Sequence, residues 1–388
     1  MKKTIRDLKD LKGKRVLLRA DFNVPLDNFG DILDDTRIAA EIPTIKYLVD
    51  QGARVVLCSH LGRPKSSYDK YLSLFPVAVY LMKAFPNRVK FSRSPAGKDA
   101  QAEVAKLKDG EILLLENVRF LEGEERNNPK VVQELCKLAD IYVNDAFGVT
   151  HRQHASTYGI AIKLPNAIGL LVEKELNIFE NAFKSPKHPF VAIFGGAKVD
   201  DKISLINNVM DKADTIIIGG GMAYTFLQAQ GQRIGKSIVS LDKIEDAKKI
   251  LETAKAKGIK IMLPVDHVAL DGTKVVKTKS LDDDMVGLDI GNASIKLFTK
   301  EILNAKQIVW NGPVGKYEDS RFKKGTMKIA KAVAKADAYS IVGGGDSVSA
   351  VKASGFADRI GHLSTGGGAS MKLMEGKPLP AIEIIDNK

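Results

Sequence analysis

What most constrains this chain is a recurring pattern of short aliphatic runs separated by helical stretches. The runs are Arg15-Val16-Leu17-Leu18-Arg19, Arg54-Val55-Val56-Leu57, Ile112-Leu113-Leu114-Leu115 and Ile141-Tyr142-Val143, then Phe190-Val191-Ala192-Ile193, Thr215-Ile216-Ile217-Ile218, Ile259-Lys260-Ile261-Met262, Gln307-Ile308-Val309-Trp310 and Tyr339-Ser340-Ile341-Val342. A run that is apolar on both faces marks a strand covered on both sides, and helices between such strands are the signature of parallel α/β sheets. Four runs in the first half and five in the second predict two doubly wound, Rossmann-like parallel-sheet domains.

The boundary is equally legible. Leu171, Val172, Leu176, Phe179 and Phe183 are spaced as on one helix face, and the polar, proline-containing Lys184-Ser185-Pro186-Lys187-His188-Pro189 follows. This predicts a first domain at 1–170, a connecting helix and linker at 171–188 and a second domain at 189–375. A length of 388 residues suits two ordinary domains. The start of the chain carries charges without an apolar stretch, and no segment approaches the roughly 20 apolar residues of a membrane span. A soluble, cytoplasmic protein with no membrane partner is expected. Cys58 and Cys136 read as small, buried apolar residues.

The net charge of +12, from 59 basic and 47 acidic residues, admits nucleic acid, an anionic surface or acidic small molecules as partners. Nucleic acid is not expected, because aromatics make up 6% of the chain and do not interleave with the lysines. Of 14 arginines, 11 precede residue 180. Arginine offers a planar fork to carboxylate and phosphate, so the first half is where a bidentate anion site belongs.

Ligands of open α/β sheets bind beyond the carboxyl ends of the strands. In the first half those exits read Arg19-Ala20-Asp21-Phe22-Asn23, Ser59-His60-Leu61-Gly62-Arg63, Glu116-Asn117-Val118-Arg119 and Asn144-Asp145-Ala146-Phe147. In the second they read Gly195-Gly196-Ala197-Lys198, Gly219-Gly220-Gly221, Pro264-Val265-Asp266, Asn311-Gly312-Pro313 and Gly343-Gly344-Gly345-Asp346-Ser347. One half thus ends its strands in cations, histidine and asparagine, as an acid-binding domain would. The other ends them in glycine, which lets a backbone approach phosphate closely. Lys198 and Lys202 are expected to share a face if helix begins near Lys198.

Two other nucleotide motifs fail on spacing. Gly231-Gln232-Arg233-Ile234-Gly235-Lys236-Ser237 is one residue short of a P-loop, and Tyr224 stands where the dinucleotide fingerprint needs glycine. A metal site at His151 and His154 is not expected, since no further ligand stands at the right spacing.

Together these segments resemble the phosphoglycerate kinase family. The resemblance is carried by Arg19 to Pro25, Asp35-Thr36-Arg37-Ile38, Ser59 to Pro64, Glu116 to Phe120, His151-Arg152-Gln153-His154-Ala155-Ser156, Gly195 to Val199, Gly219 to Phe226, Trp310 to Pro313, Gly343 to Ser347 and Ser364 to Ser370, in family order along nearly the whole chain. It implies a monomeric, hinge-bending glycolytic kinase that exchanges the acyl phosphate of 1,3-bisphosphoglycerate with MgADP, giving 3-phosphoglycerate and MgATP. The acid's carboxylate and hydroxyl would meet Asp21, Asn23 and Arg37, and its 3-phosphate would meet His60, Arg63, Arg119 and Arg152. The nucleotide would lie over Gly195, Gly219, Gly220 and Gly287 with Asn311 beside it, its ribose near Glu318 and its phosphates near Lys202, Gly344, Gly345, Asp346 and Ser347. Mg²⁺ would sit on Asp346. Arg37, Lys198, Gly344 and Gly367 are the implied catalytic groups, and the tail 376–388 would return to the first domain. Asp200, Lys316 and Asn292 depart from the family pattern, all beside the nucleotide pocket.

Overall fold

A computed structural model describes residues 1–65 and 68–388, for Asp201 its backbone alone. The chain divides into two compact units, one of Met1–Asn177 with Pro378–Lys388, the other of Ile178–Lys377.

The first unit holds strands β1 (Arg15–Arg19), β2 (Arg54–Cys58), β3 (Val89–Phe91), β4 (Ile112–Leu114), β5 (Ile141–Asn144) and β6 (Asn166–Ile168), all parallel, in the order β3-β4-β2-β1-β5-β6. Val16, Leu17 and Leu18 are all fully buried, which is what a strand covered on both faces requires. Helices α1 (Thr36–Asp50), α2 (Phe75–Ala84), α3 (Lys98–Ala105) and α4 (Pro129–Cys136) provide that cover. Helix α4 starts where Asn128 Oδ1 accepts from Lys130 N–H at 2.9 Å and Pro129 fills the first turn, a donor-free residue where no donor is needed. In the tail, Lys3 N–H donates to Asp386 O (2.8 Å) and Ala381 N–H to Thr150 O (3.0 Å), both within this unit.

Helix α5 (Leu170–Lys184) contains the division at Asn177. The second unit follows with α6 (Ile203–Met210), α7 (Ala223–Ala229), α8 (Ile244–Ala256), α9 (Asn292–Asn304), α10 (Lys324–Lys335), α11 (Gly345–Ala353) and α12 (Gly368–Met374), before α13 (Pro380–Glu383) in the tail. Strands β7 (Phe190–Phe194), β8 (Thr215–Ile218), β9 (Lys260–Met262), β13 (Gln307–Asn311), β14 (Tyr339–Gly343) and β15 (His362–Leu363) form a parallel sheet in the order β15-β14-β13-β7-β8-β9. Between them β10 (His267–Asp271), β11 (Lys274–Thr278) and β12 (Val286–Ile290) make a separate antiparallel sheet around Tyr224, Leu227, Ala269 and Leu281.

All nine expected runs are strands. The additional strands of the two parallel sheets, β3, β6 and β15, have two or three residues and lie at sheet edges. In both parallel sheets the chain fills one side of its first strand, β1 or β7, and then crosses to the other side. The resulting crevices lie between β1 and β5 in the first unit and between β7 and β13 in the second, where ligands of such sheets bind.

Candidate functional site

Beyond β1 and β5 the first unit gathers cations. Arg19, at the end of an otherwise apolar strand, is only 1% exposed. Such a guanidinium needs partners, and it donates from Nε to Ser156 Oγ (2.9 Å), from Nη1 to Ala20 O (2.5 Å) and from Nη2 to His60 Nδ1 (3.3 Å). Ser156 Oγ in turn donates to Glu124 Oε1 at 2.6 Å. Burial, then Arg19, Arg119, Arg37 and Arg152, hold the His60 imidazole well below its usual range.

Loops after β1 and β2 are tied together by side chains. Gly62 N–H donates to Asn23 Oδ1 at 2.8 Å, and Phe22 N–H to Ser59 Oγ at 2.9 Å. Asn117 Nδ2 donates to Leu61 O at 2.7 Å while its Oδ1 accepts from Arg119 N–H at 3.0 Å. Arg37, in the first turn of α1, pairs with the buried Asp21. Arg119 donates to Gly62 O and meets Glu125 at 3.1 Å, and its buried Nε–H has no partner. Arg152 lies 3.8 Å from the same Glu125, and exposed Arg63 adds its field to Arg119. Arg19, Arg37, Arg63, Arg119 and Arg152 outnumber Asp21, Glu124 and Glu125, the carboxylates facing them. An anion with several oxygens balances that excess.

The second unit's crevice is made of backbone. Gly195 N–H donates to Asn311 O (3.0 Å) and Gly196 N–H to Pro313 O (2.8 Å), closing β7 onto β13. A Cβ on Gly195 would strike the Pro313 carbonyl, and one on Gly219 would lie 2.6 Å from Val314 Cβ. Gly196 (φ +113°), Gly220 (φ +66°), Gly344 (φ +91°) and Gly367 (φ +48°) adopt left-handed geometry at the four glycine turns. Ser347 Oγ accepts from Gly312 N–H at 2.7 Å. Asp346 is exposed in the first turn of α11. Buried Lys202 reaches Asn311 O at 3.2 Å as well as its Oδ1, leaving Asn311 Nδ2 buried with no partner. That orphaned donor borders Gly344 and is available to a bound oxyanion.

Lys198 and Lys202 do not share a helix face. Regular helix α6 begins only at Ile203, because the chain first turns through Gly195-Gly196 and a short 3₁₀ segment at Asp200–Lys202. Lys198 is exposed in that turn. Gly287 sits in β12 against the Tyr224 hydroxyl, and Glu318 is exposed in the loop after β13. The departures have partners: Asp200 accepts from Ser240 Oγ at 2.7 Å, Asn292 from Lys324 Nζ at 3.2 Å, and Lys316 donates its N–H to Leu288 O at 2.7 Å.

Sequence reasoning missed Arg19, Glu124 and Ser156 as members of the cation cluster. The available signal was an arginine closing an apolar strand, which burial forces into a network.

An arginine-rich crevice in one unit can hold a polyanion and a glycine-rich crevice in the other can hold phosphate, a pair of properties that suits a phosphoryl-transfer enzyme. The profile of the family described as phosphoglycerate kinase matches residues 5–377. A phosphoglycerate kinase of Dictyoglomus turgidum is 50% identical over 396 aligned positions, spanning 100% of both chains, and one of Clostridium novyi is 49% identical over 100% of this chain and 99% of that one. The solved structure of phosphoglycerate kinase from Coxiella burnetii superimposes with a TM-score of 0.86 at 38% identity over 99% of each chain. That from Pyrococcus horikoshii OT3 gives 0.86 at 32% identity over 98% of each. The chain belongs to the phosphoglycerate kinase family and is an enzyme of that family.

Proposed function

We propose that this enzyme reversibly transfers the acyl phosphate of 1,3-bisphosphoglycerate to MgADP in glycolysis, giving 3-phosphoglycerate and MgATP by direct in-line displacement. The observation that carries the reading is the excess of arginines around the buried His60, which suits a small acid bearing both phosphate and carboxylate. Asp21, Asn23 and Arg37 hold the carboxylate and hydroxyl, and His60, Arg63, Arg119 and Arg152 the 3-phosphate. The nucleotide lies along Gly195, Gly219, Gly220 and Gly287, with Glu318 at its ribose and Lys202, Asn311, Gly344, Gly345 and Ser347 at its phosphates.

The carboxylate acceptor is already ionised at neutral pH, so no general base is required. What remains is the charge on the phosphoryl group in flight, met by Arg37, Lys198 and backbone N–H groups around Gly344 and Gly367. Asp346 offers one exposed carboxylate, which fits a Mg²⁺ completed by nucleotide phosphates and water. The ion would neutralise phosphate charge. Because acid and nucleotide groups belong to different units, turnover must bring both to one phosphoryl group and exclude water, with α5 as the joining segment. The reading extends to a cytoplasmic monomer; among the described residues no helix is long and apolar enough to cross a membrane.

The test is ADP formation from MgATP by the full chain, with and without 3-phosphoglycerate. Turnover that requires the acid is expected, and folded protein without it would overturn the reading.

A further inference from the structure

Arg37, Glu41 and Thr44 lie along one face of α1 at helical spacing. Arg37 belongs to the acid site, whereas Glu41 is fully buried behind it. Glu41 Oε1 accepts from Asp21 N–H at 2.8 Å, so it holds the backbone of the residue with which Arg37 pairs. Its other oxygen, Oε2, is buried and finds no donor. The same is true of Asp145 Oδ2, on the fully buried residue just after β5. Asp145 Oδ1 is satisfied, accepting from Val172 N–H at 2.9 Å in the first turn of α5.

The two carboxyl groups lie within hydrogen-bonding reach of each other. Two carboxylate oxygens cannot hydrogen-bond without a proton, since an ionised carboxyl only accepts. The groups that act most strongly on the pair are Asp21 after β1, Thr44 on α1 and the amides of Leu171 and Val172 on α5, with Arg37 one turn before Glu41 engaged by Asp21. Burial and then Asp145 push the Glu41 carboxyl far up, while Asp145, lifted by burial, is partly brought back by Thr44 and the α5 amides and settles at about 6. Asp145 has more donors around it, Val172 N–H with Thr44 and Leu171, than Glu41, which accepts from Asp21 N–H, so the anion is better held on Asp145 and the proton is assigned to Glu41.

We propose that Glu41 is a positioning residue of the acid site: its protonated carboxyl donates to Asp145 and, through Oε1, fixes Asp21 and the α1 face that carries Arg37. The inference rests on the function proposed above for the role of Arg37. It assigns Glu41 a neutral hydrogen-bond donor, a task that glutamine can also perform.

Amide substitutions distinguish this from simple charge repulsion. In Glu41→Gln the Nε2–H₂ group replaces the O–H, and in Asp145→Asn the Nδ2–H₂ group donates to an ionised Glu41. Each single variant should keep KM for 3-phosphoglycerate within about threefold of wild type. The double variant sets two donors face to face, so KM should rise by about tenfold or more with a smaller change in kcat. If relief of repulsion were all that mattered, the double variant would match the singles, and that result overturns the proposal. A second readout needs no turnover: infrared spectra of the wild type should contain a protonated-carboxyl C=O band that Glu41→Gln removes, and its absence from the wild type overturns the proposal. A wild type without acid-dependent turnover would instead sink the proposed function and leave the infrared result standing.

Discussion

Arg19 Nη2 lies 3.3 Å from His60 Nδ1, and since a guanidinium can only donate, that ring nitrogen is the acceptor. The imidazole is therefore neutral, with its proton on Nε2. His60 offers a bound anion an N–H donor rather than a charge.

The first prediction concerns this pair. His60 should remain the neutral Nε2–H tautomer throughout the pH range in which an ordinary histidine protonates, as read from imidazole ¹⁵N shifts. Arg19→Gln removes the nearest cation, so the His60 pKa should rise, though burial, the larger cause, will keep it below the ordinary value. The same variant leaves Glu124 and Ser156 without their guanidinium, and KM for 3-phosphoglycerate should increase by about tenfold or more as the charge-assisted bonds are lost. A His60 that titrates normally in the wild type would contradict the assignment.

Gly195 provides the second. An added Cβ would strike the Pro313 carbonyl, 2.6 Å from its carbon and 2.8 Å from Gly312 O. Pro313 O accepts from Gly196 N–H and Gly312 O from Trp310 Nε1–H, both at 2.8 Å, so the backbone cannot yield without breaking those bonds. Gly195→Ala should cost about 1–3 kcal/mol in stability, the usual range for overpacking, and weaken MgADP binding in calorimetry by more than about tenfold. Binding of 3-phosphoglycerate should be unchanged, because that site is in the other unit. Wild-type affinity for MgADP would show that Gly195 is there for the turn alone.

Much of this arrangement is legible in the chain itself, and the reason is burial on both sheet faces. Val16 to Leu18 and Ile216 to Ile218 are apolar at every position, so they betray strands and, through the residues that follow, the crevices. The antiparallel β10 and β11 are not legible in that way. Their burial alternates with exposure, and residues such as Lys274 and Lys277 face solvent. Nor is the support beneath the acid site visible, because Glu41, Glu124 and Asp145 look in sequence like ordinary surface carboxylates. Only the folded chain brings them under Asp21 and Arg19.

Asn311 yields the third prediction. Lys202 occupies its Oδ1, which fixes the amide so that Nδ2 faces away from the lysine, buried and without a partner. A Cβ on Gly344 would lie 3.2 Å from that nitrogen, so the orphaned donor borders the glycine turn. Asn311→Asp replaces the donor with an oxygen of the same size. A phosphate there would lose a hydrogen bond and meet an acceptor, so KM for MgATP should rise by about tenfold or more, while Lys202 keeps its partner and stability changes little. An unchanged KM would remove Asn311 from the nucleotide site.

The last prediction is a stability profile set by Asp289, on β12. Its Oδ2 accepts from Gly325 N–H at 2.7 Å and its Oδ1 from Ile290 N–H at 2.9 Å, but burial outweighs both and lifts the carboxyl to about 7. In the unfolded chain the same group titrates near its ordinary 3.8. Between those values the native state holds a proton that the unfolded state has released. The resulting stabilisation is fully present below the unfolded value and is lost as pH rises through about 7. Across the interval its slope approaches about 1.4 kcal/mol per pH unit. His154, depressed to about 4 first by burial and then by Arg19, acts in the opposite sense: its contribution is present above 6.5 and fades as pH falls towards about 4. Comparing Asp289→Asn with wild type isolates the first effect, since all other groups cancel in the difference. Urea unfolding from about pH 5 to about pH 8 should show the wild type losing stability relative to the variant as pH rises. Parallel profiles would mean that Asp289 is ionised throughout, and that the amides of Gly325 and Ile290 outweigh its burial.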